Sequence, residues 1–129
     1  MEHLQIRGSS QLFFIPNVDF NPETGECRIS GESFPEDVFN FYKPILNWLR
    51  MYLDKRKPLS FHCRLSYYNT MTSKVLSEIF EMLSSYKSSG GVVEVFWYYS
   101  GQPSLSLLEE IKDFEDDASL QITTINEIK

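Results

Sequence analysis

Leu59-Ser60-Phe61-His62-Cys63-Arg64-Leu65-Ser66 alternates strictly. Leu59, Phe61, Cys63 and Leu65 project to one side, and Ser60, His62, Arg64 and Ser66 to the other. That is the period of a strand with one face on a core. The chain then passes through Tyr67-Tyr68-Asn69-Thr70 into a segment where Val75, Leu76, Ile79, Phe80 and Leu83 recur at helical spacing. The helix should stop near Ser88-Ser89-Gly90-Gly91, where glycine accepts the left-handed turn. Val92-Val93-Glu94-Val95-Phe96-Trp97-Tyr98-Tyr99 follows, β-branched and then aromatic, and reads as a central strand. Strand, helix and strand in succession imply parallel neighbours joined by a right-handed crossover, hence an α/β fold.

Downstream, Gly101-Gln102-Pro103 is a turn, and Leu107, Leu108, Ile111 and Phe114 mark another helix. Leu120, Ile122 and Thr124 suggest a last strand. Upstream, Val38, Phe41, Tyr42, Ile45, Trp48, Leu49, Tyr52 and Leu53 form the apolar stripe of a helix running to about residue 54. Pro35 suits its first position, after Ser33 or Phe34, with Glu36 and Asp37 in the first turn. Pro44 should kink it. Residues 3–7, 11–15 and 26–31 read as strands; Gly8-Ser9-Ser10 links the first two, and Pro16 ends the second. Asn21-Pro22-Glu23-Thr24-Gly25 has hairpin-turn chemistry. The expected fold is a mixed sheet with N-terminal hairpin strands and about three helices, in a single domain over residues 1–129.

The net charge of −6 and pI near 4.9 oppose binding to nucleic acid or to an anionic membrane surface. Met1-Glu2-His3-Leu4-Gln5 does not read as a signal peptide, and no apolar run approaches the length expected to span a bilayer. Cys27 and Cys63 form no CxxC pair and read as reduced thiols of a cytoplasmic protein. His62 and Cys63 are adjacent on a strand, so they face opposite ways and cannot act as a pair. The acidic run Asp113, Glu115, Asp116 and Asp117 reads as a solvated helix end rather than a metal site. No phosphate loop, dinucleotide glycine pattern or G-x-S-x-G occurs, so neither cofactor nor catalytic residues are expected.

Tyr68-Asn69-Thr70-Met71-Thr72-Ser73-Lys74 joins a strand end to a helix start. Asn, Thr and Ser are good N-caps, so the cluster reads as a helix start. The same position also suits a phosphate acceptor, because a hydroxyl there stands near unpaired amides at the positive end of the helix. The residues leave both readings open.

Gly31-Glu32-Ser33-Phe34-Pro35-Glu36-Asp37, Phe41-Tyr42-Lys43-Pro44-Ile45-Leu46-Asn47-Trp48-Leu49, Leu65-Ser66-Tyr67-Tyr68-Asn69-Thr70 and Val95-Phe96-Trp97-Tyr98-Tyr99 together resemble the SiaC family of bacterial regulatory phosphoproteins. The resemblance runs from about residue 5 to residue 100. It implies a fold similar to STAS domains, the anti-sigma-factor-antagonist type. It implies a partner switch in which a cognate kinase phosphorylates one threonine and a metal-dependent serine/threonine phosphatase reverses this. It also implies that the unmodified form binds a diguanylate cyclase, in cyclic-di-GMP signalling and biofilm control. The family threonine falls on Thr70, with Thr72 and Ser73 as alternates and Tyr68, Asn69, Thr70, Met71 and Lys74 facing the partner. Met71 stands where the family has a small hydroxyl residue, and Ser100-Gly101-Gln102-Pro103-Ser104 is neutral where the family tends to be acidic. Two other expectations stand beside the switch: a constitutive scaffold or oligomerisation domain, and a small enzyme using His62 or the acidic run.

Overall fold

The structure, a computed structural model, describes residues 1–9 and 14–127. Its elements are β1 (Leu4–Ile6), β2 (Asn17–Phe20), β3 (Glu26–Ser33), α1 (Val38–Asp54), β4 (Leu59–Tyr68), α2 (Thr70–Ser88), β5 (Val93–Tyr99), α3 (Leu105–Ala118) and β6 (Thr123–Asn126). The six strands make one sheet in chain order. β1, β2 and β3 pair antiparallel, and β3 to β6 pair parallel. The mixed α/β architecture expected from the sequence is the one observed.

Each parallel connection steps to the next strand in the same direction. Crossovers of the usual right hand therefore put all three helices on one face of the sheet, with α2 touching both α1 and α3. The alternation in β4 supplies that face: Leu59, Phe61, Cys63 and Leu65 are buried beside Val93, Val95 and Trp97 of β5. Phe80 of α2 meets Phe61 edge-on at 6.0 Å, and Phe114 of α3 stacks on Trp97 at 5.9 Å. Each large side chain so buried contributes about 1.5–3 kcal/mol. Gly25 closes the β2–β3 turn at φ 76°, where a Cβ would collide with the Pro58 carbonyl and the Tyr52 hydroxyl.

Several boundaries differ from expectation, each for a hydrogen-bonding reason. The second strand lies after Pro16, at Asn17–Phe20. Of the expected strand at 11–15, residues 11–13 fall outside the described residues, and Phe14 and Ile15 make only single bridges, to Phe34 and Ser9. Helix α1 starts at Val38 and is capped by Asp37, whose carboxylate accepts the Asn40 amide at 3.2 Å. Pro35 is therefore not its first residue, and neither Glu36 nor Asp37 lies in its first turn. Ser33 still accepts the Asn69 amide and Phe34 still donates to the Phe14 carbonyl, so the chain has not yet left the sheet there. The helix continues through Pro44, whose ring is exposed. β5 has neighbours on both sides but is next to the edge; β3 and β4 hold the middle. The last strand begins at Thr123, since the Leu120 amide is spent on the Glu115 carbonyl and the Ile122 amide on the Glu115 carboxylate.

One irregularity matters more than these. Gly31 pairs with Leu65 and Glu32 with Tyr67, so Ser66 is an extra residue in β4. Such a bulge reverses the inward and outward phase beyond it, and Gly31 allows it with φ 99°. Tyr67, which strict alternation would send inward, is 50% exposed, while Tyr68 turns in against Trp97. Among the described residues no helix is long and apolar enough to cross a membrane.

Candidate functional site

The turn after β4 is built around Asn69. Its backbone is extended (φ −86°, ψ 173°), its carboxamide oxygen accepts the Thr72 amide at 2.8 Å, and its carbonyl accepts the Ser73 amide at 3.0 Å. Asn69 is thus the N-cap of α2 and Thr70 the first helical residue. Thr70 is exposed. The first amides of a helix have no acceptor within it, so an anion at this position finds both free donors and the positive dipole end.

Thr72, proposed from the sequence as an alternate acceptor, is placed otherwise: it is fully buried. It stands three residues before Val75 and four before Leu76, on the buried stripe of α2. Its hydroxyl lies 2.9 Å from that of Ser33, which lies 2.7 Å from that of Tyr42. The Thr72 hydroxyl also reaches the Ser33 carbonyl at 3.3 Å. The three hydroxyls satisfy one another and tie the ends of β3 and α2 to α1. Burial pushes the Tyr42 phenol well above its ordinary range, with the Ser33 hydrogen bond acting weakly the other way. Ser73, the second alternate, is half-buried.

Beside Thr70 the starts of α1 and α2 leave a groove of about 640 Å³, lined among others by Phe34, Pro35, Val38, Phe39, Asn69 and Met71. Phe39 is 53% exposed, and Phe34 is exposed and stacked on Tyr67 at 6.2 Å. A group of large apolar side chains at the surface marks an interaction site far better than one alone. Glu36 and Asp37 line the groove on the α1 side, and Lys74 is exposed one helical turn beyond Thr70. Of the partner-facing residues named from the sequence, Asn69 and Met71 line this groove, and Thr70 and Lys74 are exposed on the first turns of α2. Tyr68 does neither, because the bulge turns it inward and gives the outward place to Tyr67. Phe34, Phe39 and Tyr67 were missed. The glycine inside a strand at Gly31 was the available signal for Tyr67, and Phe39 sits off the apolar stripe of α1.

The other candidate chemistry is elsewhere. His62 lies on the open face of the sheet, stacked on Phe96 at 5.1 Å. One ring nitrogen meets the Tyr98 hydroxyl at 2.7 Å and the other the Glu26 carboxylate, so both are occupied. Cys63, in the core on the opposite face, is fully buried, and burial pushes its thiol up to about 12. Cys27 is buried as well and is shifted in the same direction. Among the described residues no group of His, Cys, Asp and Glu is arranged to hold a metal ion, the acidic run of α3 included.

Residues 7–127 match the SiaC family of regulatory phosphoproteins. The chain belongs to that family. A Pseudomonas aeruginosa protein of strain UCBPP-PA14 is 26% identical over 120 residues, 92% of each chain. The solved structure of SiaC of Pseudomonas aeruginosa superposes with a TM-score of 0.86 at 24% identity, covering 98% of this chain and all of the other. SiaC in its complex with the diguanylate cyclase SiaD, of which it is the activator, gives 0.87 at 24% identity over 96% of this chain and 99% of the other. These superpositions establish the shared SiaC fold.

Proposed function

We propose that this SiaC-family chain is a non-enzymatic, cytoplasmic binding module whose partner affinity is set by phosphorylation of Thr70. The carrying observation is that an exposed threonine at the start of α2 stands beside a groove of exposed aromatic side chains. In the unmodified state a partner protein buries Phe34, Phe39, Tyr67 and Met71. A phosphate on Thr70 adds about 1.5 to 2 negative charges. It finds free amides and the positive end of α2 on its own side, so the fold tolerates it. Docking an apolar partner surface over it would strip its water without supplying a counter-charge, so the modified form releases the partner. The buried cluster of Ser33, Tyr42 and Thr72 holds the turn rigid in both states.

The kinase that adds the phosphate and the metal-dependent phosphatase that removes it act as separate chains, in keeping with a sequence that has no phosphate-loop motif. The solved assembly of a SiaC protein with a diguanylate cyclase supports a cyclase as the partner and cyclic-di-GMP as the output. The test uses the cognate kinase and mass spectrometry, followed by pull-down of the cyclase with each form. Phosphate is expected on Thr70, with loss of cyclase on modification. Phe39→Ala is expected to weaken the unmodified complex by about tenfold or more. Absence of phosphate from Thr70 overturns the reading. Equal recovery of partner by both forms replaces it with a constitutive scaffold.

A further inference from the structure

β4 and β5 separate part-way along their length. Their ladder runs from Leu59–Val93 to Cys63–Trp97 and ends there. Yet β4 continues beside β3 to Tyr68, and β5 continues beside β6 to Tyr99. Beyond Cys63 and Trp97 the sheet is a fork. Across it Arg64–Ser66 and Tyr98–Tyr99 are not paired to one another; the Tyr99 carbonyl is taken from the β6 side by the Glu127 amide, and polar groups left over in the fork require partners. A cleft of about 570 Å³ occupies the fork, with Arg64 and Ser66 on one prong, Tyr98 and Tyr99 on the other, and the loop from Ser100 to Ser104 over it. That volume lies in the range of small-molecule sites. Open α/β sheets hold ligands outside the carboxyl ends of parallel strands, usually in a crevice made where strand order reverses. Here the order never reverses, and the fork makes the crevice instead.

The cleft has a defined chemistry. Arg64 is the one cation in its lining and Glu127 the one carboxylate. The Arg64 guanidinium lies over the Tyr98 ring at 3.7 Å, and its Nε donates to Glu127 at 2.9 Å. Those contacts orient the side chain while leaving its two terminal nitrogens without a hydrogen bond among the described residues. A guanidinium held flat in this way presents paired donors suited to a carboxylate or a phosphate. The overlying loop is pinned rather than loose: the Gly101 amide donates to the Asn126 side chain at 3.2 Å, and that side chain donates back to the Gly101 carbonyl at 3.0 Å. The cleft shares no lining residue with the groove beside Thr70.

We propose that this fork is a binding site for a small organic anion, a phosphomonoester or a carboxylate, whose charged group pairs with Arg64 in competition with Glu127. Glu127 lies just past β6 and is partly exposed, so it moves into water when the ligand displaces it. The ligand's remaining polar groups meet backbone groups that the two prongs do not pair with each other, and the hydroxyls of Tyr99 and Ser100.

The experiment is a two-dimensional amide NMR titration of the full chain with ribose 5-phosphate, inorganic phosphate and citrate in separate arms. Saturable shifts are expected at Leu65, Ser66, Tyr99 and Ser100. Response to both phosphate arms assigns a phosphate ligand, and response to citrate alone a carboxylate. Arg64→Gln is expected to weaken binding by about tenfold, the usual worth of a charge-assisted hydrogen bond. Glu127→Gln, which leaves Arg64 in place, is expected to tighten it several-fold by removing the competitor. Absence of saturable shifts in all three arms overturns the proposal. So does weaker binding by Glu127→Gln, or unchanged binding by an Arg64→Gln variant whose spectrum shows it folded.

Discussion

Thr70 and Thr72 share one helical turn and one side-chain chemistry, and their surroundings have nothing else in common. Thr70 faces solvent at the first position of α2. Thr72, two residues on, is closed off from water by Ser33, Tyr42 and the apolar stripe below it. A switch of this kind needs both. In the proposed switch the outer hydroxyl gains or loses an anion at little cost to the fold, because the inner one fastens the turn to β3 and α1. The pair teaches that position on the helix, not residue type, separates an open hydroxyl from a sealed one within a single helix start.

The contrast is broken most severely by a charge. Thr72→Asp puts a carboxylate among buried hydroxyls and is expected to lose more than about 3 kcal/mol of unfolding free energy or fail to fold. Thr70→Asp is expected to stay within about 0.5 kcal/mol, helped by the helix dipole. Urea denaturation of the two variants measures the difference directly; similar losses would erase the distinction between the sites.

Alkali probes the sealed side without mutation. The Cys63 thiol is raised from 9.0 to about 12 by burial, and the Tyr42 phenol is raised as well. Because the folded values exceed the unfolded ones, their contribution to stability is complete below the unfolded value. It drains away as pH climbs toward the folded value. The urea midpoint should therefore fall between about pH 9 and pH 12, and Cys63→Ala should flatten that fall.

Smaller effects come from neutral changes. Ser33→Ala leaves Tyr42 and Thr72 short of a buried partner and is expected to cost about 1–3 kcal/mol by thermal unfolding. Asn69→Ala removes the cap that accepts the Thr72 amide and is expected to cost about 1 kcal/mol. Thr70→Ala, at the exposed position, is expected to change stability by less than about 0.5 kcal/mol.

Much of this architecture was legible along the chain. The alternation from Leu59 to Ser66 and the stripe of α2 are local periods, and Asn69 is a local cap. Even the burial of Thr72 is written in its spacing from Val75 and Leu76. The groove was not legible, since Phe34 leaves β3, Phe39 belongs to α1, and Tyr67 reaches the surface only because Ser66 is an extra residue opposite Gly31. The fork was equally hidden, because β4 and β5 each read as uninterrupted strands. Only their choice of different neighbours beyond Cys63 and Trp97 opens the cleft.

For this protein the sequence by itself determined the three helices, the strands β3, β4 and β5, the parallel order that follows from their alternation, and a start of α2 rich in capping residues. Those depend on backbone preferences and side-chain periods within a few residues. The tertiary structure alone decided which hydroxyl is sealed by Ser33 and Tyr42, which aromatic residues share the surface beside Thr70, and where the sheet divides. Those outcomes depend on pairing between segments tens of residues apart, where a single-residue offset sends a side chain to the opposite face.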